Sequence, residues 1–82
     1  MVKVTIKWFA RFRERTGKSS DVLDMPEGST VTELAQRLEG LYPGIQVREK
    51  SMGVAVNRKY VGYGHKLSDG DEVAFIPPVG GG

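Results

Sequence analysis

The chain closes on Gly80, Gly81 and Gly82, and the carboxylate of Gly82 is the group best presented for chemistry. A carboxyl end with no side chains on its last three residues can enter a narrow slot, and glycine reaches backbone angles closed to other residues. A free carboxylate is inert toward acyl transfer, so a second enzyme must activate it, for example as an acyl-adenylate. Once activated it can accept a sulfur nucleophile and become a thiocarboxylate, or be joined to an amine. Both uses need the same bare tip. Pro77 and Pro78 stand just before it. Each proline fixes φ and removes a backbone donor, so a strand over 72–76 has to stop and the chain leaves in an extended form. Pro77, Pro78, Val79, Gly80 and Gly81 are therefore expected to hold the Gly82 carboxylate out for another protein to use. Residues 1–78 are expected to form the domain and 79–82 a glycine tail.

The other chemistry-bearing residues have simpler explanations. His65 is the one histidine and cysteine is absent, so a transition-metal site would rest on carboxylates alone, and none is expected. Asp69, Asp71 and Glu72 surround Gly70, which reads as a tight turn; the longer alternation of a calcium loop is missing. No Gly-x-Gly-x-x-Gly follows a strand and opens a helix, so the chain is not expected to bind ATP or another cofactor itself. Arg11, Arg13, Arg15 and Lys18 form the densest basic stretch. With 12 basic against 10 acidic residues the net charge is only +2, which favours a solvated face over a nucleic-acid patch. An acidic partner surface is the third reading of that stretch, where such charges would speed encounter.

These groups must be carried by a small frame. At 82 residues the chain makes one domain with a modest core. No apolar run approaches the roughly 20 residues needed to span a membrane, and no signal-peptide pattern opens the chain, so the cytoplasm is the expected location. Val2, Val4, Ile6 and Trp8 alternate with polar residues and predict a strand with one buried face. Phe9 falls on the other face. Residues 10–15 read as a short helix closed by Gly17, and 20–25 as a second strand. Pro26 to Ser29 is a turn. Thr30 and Glu33 form a capping box for a helix carrying Val31, Leu34, Ala35, Leu38 and Leu41 on one stripe. Residues 45–53 read as a long polar loop. Short strands follow at 54–57 and 59–61, then a turn at Gly70 and a last strand over 72–76. Val73 and Phe75 should point inward, which turns Ala74 and Ile76 outward with Phe9. If strand order brings Phe9 and Ile76 together, they form an apolar patch beside the tail. One long helix over a mixed sheet of four or five strands is an α+β two-layer architecture.

Three segments together resemble the small subunit of molybdopterin synthase, the MoaD family. They are Phe9-Ala10-Arg11-Phe12-Arg13-Glu14, Val54-Ala55-Val56-Asn57, and the run from Leu67 through Asp69-Gly70-Asp71-Glu72-Val73-Ala74-Phe75-Ile76-Pro77-Pro78-Val79 to Gly82. The resemblance covers essentially the whole chain and implies a β-grasp, ubiquitin-like fold. It implies a sulfur carrier whose Gly82 is adenylated with ATP by an E1-like enzyme of the MoeB type. A sulfur donor then converts it to a thiocarboxylate. The loaded tail would insert into a large subunit of the MoaE type, which would hold the catalytic side chains, and pass sulfur to cyclic pyranopterin monophosphate for molybdenum cofactor. Phe9, Arg13, Tyr60 and Ile76 match the family's partner-contact positions, Tyr60 in place of the more usual aliphatic residue. Gly80 stands where family members often carry alanine, serine or threonine. The alternatives are a thiamine-pathway carrier of the ThiS type and a ubiquitin-like modifier conjugated to lysines through Gly82.

Overall fold

The computed structural model describes residues 1–49 and 51–78; the expected tail, 79–82, lies outside the described residues. Its elements are β1 (Val2–Lys7), α1 (Ala10–Thr16), β2 (Ser20–Met25), α2 (Val31–Leu41), β3 (Gly53–Val56), β4 (Lys59–Val61) and β5 (Glu72–Ile76). They build one five-stranded mixed sheet in the order β2-β1-β5-β3-β4. The central pair, β1 and β5, is parallel, with Thr5, Ile6 and Lys7 beside Glu72, Val73 and Ala74. The neighbours on either side are antiparallel. A parallel pair requires a crossover, and everything from α1 to β4 lies between these two strands in sequence. This is the β-grasp architecture, with α2 packed across the sheet.

Alternation decides which face is buried. Val2, Val4 and Ile6 of β1, Val54 and Val56 of β3, and Val73 and Phe75 of β5 are all buried with Val31, Leu34, Ala35 and Leu38 of α2. Trp8 anchors one end. It lies against Phe12 at 6.0 Å between ring centroids, Tyr42 at 6.1 Å edge-on and Phe75 at 6.3 Å nearly stacked. Truncating an aromatic so placed leaves a cavity and costs about 3–5 kcal/mol.

The ends of the helices are set by local chemistry. Gly17 takes φ 74 and its amide returns to the Arg13 carbonyl, closing α1. At α2 the Thr30 hydroxyl accepts from the Glu33 amide and the Glu33 carboxylate accepts from the Thr30 amide. The next two amides, of Val31 and Thr32, donate to the carbonyls of His65 and Tyr63, so the 62–67 segment clasps the start of the helix.

Three local expectations are corrected. Leu41 is not on the core stripe but 49% exposed, because α2 ends there and the chain turns at Tyr42, which packs partly against the core instead. The 45–53 segment is not simply polar. Ile45 and Val47 are buried, and the Tyr63 hydroxyl donates to the Val47 carbonyl at 2.6 Å. Asn57 lies past the end of β3, in the turn to β4.

Candidate functional site

The corner between β1 and α1 is held by one carboxylate. Trp8 Nε1–H donates to Asp21 Oδ2 at 2.8 Å, the Tyr42 hydroxyl donates to the same oxygen at 2.6 Å, and Lys18 Nζ donates to Oδ1 at 2.9 Å. Burial alone pushes the Asp21 carboxyl up, but the bonds from Lys18, Tyr42 and Trp8 together outweigh it and hold it below its ordinary range. Phe9 follows Trp8 in extended conformation, and Ala10 then takes φ 49 to enter the helix. A left-handed angle at a residue with a Cβ costs on the order of 1–2 kcal/mol. With Trp8 buried and pinned, Phe9 is left outside the core and 53% exposed.

The sheet face opposite α2 collects the other candidates. In register across five strands lie Ser20, Lys7, Ala74, Ala55 and Tyr60. Because β5 and β3 lie between β1 and β4, Phe9 and Tyr60 stand on opposite sides of a shallow concavity of about 420 Å3. Its floor is Ala55, Ala74 and Ile76, and its charged rim is Lys7, Glu72 and Arg58. The small floor residues leave room for an incoming side chain. Phe9, Tyr60 and Ile76 are thus brought together. Arg13 is exposed on α1 and does not line the concavity. Ile76 is the last residue of β5, and partly exposed Pro77 and exposed Pro78 lead away from it. The apolar face therefore adjoins the point where the chain leaves the sheet toward Val79, Gly80, Gly81 and Gly82, which lie outside the described residues.

The turn joining β3 to β4 is a two-residue hairpin with Asn57 at φ 52 and Arg58 at φ 70. Positive φ at both centres is the primed geometry whose twist matches paired strands, and glycine is preferred at the second centre. Sequence reading missed Arg58, since nothing about an arginine signals a left-handed turn.

The remaining candidates are structural. Asp71 is buried and accepts from the Ser68 amide at 2.7 Å and Asn57 Nδ2 at 2.9 Å, while Asp69 accepts from the Lys3 amide at 2.7 Å. The acidic turn thus fastens β1, β3 and β5. Among the described residues no group of three or more His, Cys, Asp or Glu side chains could hold a metal. His65 is exposed in its loop. A second depression, about 240 Å3 between α1 and residues 44–46, is flanked by Arg11 and Arg15. There Arg15 bonds to the Pro43 carbonyl and Arg11 lies 5.2 Å from the centroid of the Phe12 ring, so both arginines serve packing. No helix among the described residues is long and apolar enough to cross a membrane.

Comparison with known proteins finds relatives along essentially the whole chain. A family model described as the ThiS family matches residues 6–82. The chain is 38% identical over 77 residues to the molybdopterin synthase sulfur carrier subunit of Dictyostelium discoideum, covering 90% of each chain. It is 37% identical over 86 residues to the protein of the same name from Escherichia coli (strain K12), covering both chains completely. Among solved structures, small archaeal modifier protein 1 of H. volcanii superposes with a TM-score of 0.87 at 25% identity, over 96% of this chain and 100% of that one.

Proposed function

The chain belongs to the ThiS family, and from its full-length likeness to curated sulfur carrier subunits we infer that it is the sulfur carrier subunit of a molybdopterin synthase. Its Gly82 carboxylate attacks the α-phosphorus of ATP on an E1-like enzyme of the MoeB type, and pyrophosphate leaves. A sulfur donor then displaces AMP and leaves a thiocarboxylate. The loaded tail enters a large subunit of the MoaE type, which supplies the catalytic side chains. The thiocarboxylate sulfur bonds to cyclic pyranopterin monophosphate, water cleaves the acyl–sulfur bond, and the tail returns as a carboxylate. The carrier itself needs no bound cofactor; ATP is consumed by the activating enzyme.

The observation that carries this reading is near-complete coverage of curated relatives named as sulfur carrier subunits, joined to the Gly-Gly end of this chain. The word subunit in those names supports a second protein. The apolar concavity beside the exit of β5 supplies a place for it: Phe9, Tyr60 and Ile76 form the docking face, with Arg13 on the adjoining helix as a peripheral contact. A partner seated there would adjoin the point where the chain leaves β5, and the partly exposed Ala74 and Ile76 give it apolar area to cover.

Reconstitution tests the reading. Thiocarboxylated chain, the cognate large subunit and cyclic pyranopterin monophosphate should together yield molybdopterin. A chain that loads sulfur but gives no product with a competent large subunit would place it in another sulfur pathway, such as that of the thiamine thiazole. The likeness to an archaeal modifier supports a second reading, conjugation of Gly82 to lysines. Its sign is a Gly-Gly remnant on lysines of other proteins after proteolysis.

A further inference from the structure

We propose that Arg58 reads a carboxylate on the docked partner, and so makes the open sheet face selective for a surface that pairs an apolar knob with an acidic group. The inference rests on the docking reading above and adds a charge requirement to it.

Three observations carry it. Arg58 occupies the second centre of the β3–β4 turn at φ 70, where glycine would sit without strain, so the local fold gives no reason for a long cationic side chain. The turn is fastened without it. The Asn57 amide donates to the Glu72 carbonyl at 2.8 Å, Asn57 Nδ2 donates to Asp71 Oδ1 at 2.9 Å, and Asn57 Oδ1 accepts from the Glu72 amide at 2.9 Å. That leaves the Arg58 side chain as a passenger on a firmly anchored mount, directed to the rim of the concavity with Tyr60 and Ile76. Finally, Arg58 forms no ion pair among the described residues, whereas Lys7, the other cation on the same rim, faces Glu72 at 3.9 Å.

A partner that fills the apolar floor strips water from this guanidinium. Removing water from an unpaired charge is costly, and the cost is met when the partner brings an opposite charge with good geometry. Arginine presents a planar fork of donors matched to a carboxylate, which a point-charge lysine does not. An aspartate or glutamate is therefore the partner group that fits, and a neutral or basic rim at this place is rejected.

The test uses the full chain, its Arg58→Gly, Arg58→Glu and Ile76→Asp variants, and the cognate large subunit as the probe, with binding followed by surface plasmon resonance at low and high salt. Arg58→Gly should melt at or above the wild-type temperature, because glycine suits the turn. It should bind more than roughly tenfold more weakly, mainly through a faster off-rate, because the partner carboxylate is left desolvated and unpaired. Arg58→Glu should bind more than roughly tenfold more weakly. If both variants bind as the wild type does at every salt concentration while Ile76→Asp loses binding, the face docks but reads no carboxylate, and the inference is overturned alone. If the wild type does not bind and Ile76→Asp changes nothing, the docking reading falls and takes this inference with it.

Discussion

Replacing Asp21 with asparagine keeps the shape of the side chain but removes the charge that Trp8, Tyr42 and Lys18 all donate to. Hydrogen bonds to a charged acceptor are worth about 1.5–3 kcal/mol net, against about 0.5–1.5 kcal/mol for neutral ones. The two bonds from largely enclosed donors, Trp8 Nε1 and the Tyr42 hydroxyl, should each weaken by about 1 kcal/mol. Lys18 is exposed, and its pairing adds little beyond that. A loss of about 2 kcal/mol follows, which in a domain of this size lowers Tm by roughly 8–16 °C. The pH dependence is the sharper signature. The folded-state pKa of Asp21 is lowered, so its contribution is fully present above the unfolded carboxyl pKa and is lost as pH falls through the folded value. The gap between wild type and Asp21→Asn should therefore be constant near neutrality and shrink below about pH 4. Urea titrations from pH 2 to 7 would measure it. A gap below about 0.5 kcal/mol at neutrality, against the roughly 2 kcal/mol expected, or one that does not narrow in acid, would refute the account of Asp21 as a charged hub.

Other consequences are simpler to read. Thr30→Ala removes the hydroxyl half of the capping box and should cost about 1 kcal/mol, seen as a lower urea midpoint with an unchanged slope. Ile76→Asp places a charge on the partly exposed floor of the concavity. It should leave the far-ultraviolet circular dichroism intact and weaken large-subunit binding by more than roughly tenfold in an isothermal titration.

Local signals carried most of the architecture. The parity of Val2, Val4, Ile6 and Trp8 predicts β1 and its buried face, and the same parity puts Phe9 outside. Gly17, Gly70 and the Thr30–Glu33 pair each sit in the conformation their chemistry demands. Phe9 and Ile76 are visible as off-face apolar residues, but only the strand order brings them to one concavity. What sequence reading misses depends on long-range register. Asp21 meets Trp8 and Tyr42 across 13 and 21 residues, and neither periodicity nor a motif announces that contact. Ile45 and Val47 are isolated among polar neighbours, so their burial follows from the core cluster they join and not from any local pattern. Arg58 is hidden for the opposite reason: its turn geometry contradicts its residue type.

The central claim concerns Gly82, and intact-mass spectrometry tests it most directly. The full chain is incubated with its cognate activating enzyme, ATP and a sulfur donor, beside a variant lacking Gly82. The account predicts that the full chain gains the mass difference between one sulfur and one oxygen, while the truncated chain gains nothing and melts at the same temperature. A full chain that stays at its original mass with a competent activating enzyme, or a truncated chain that loads equally well, would contradict it.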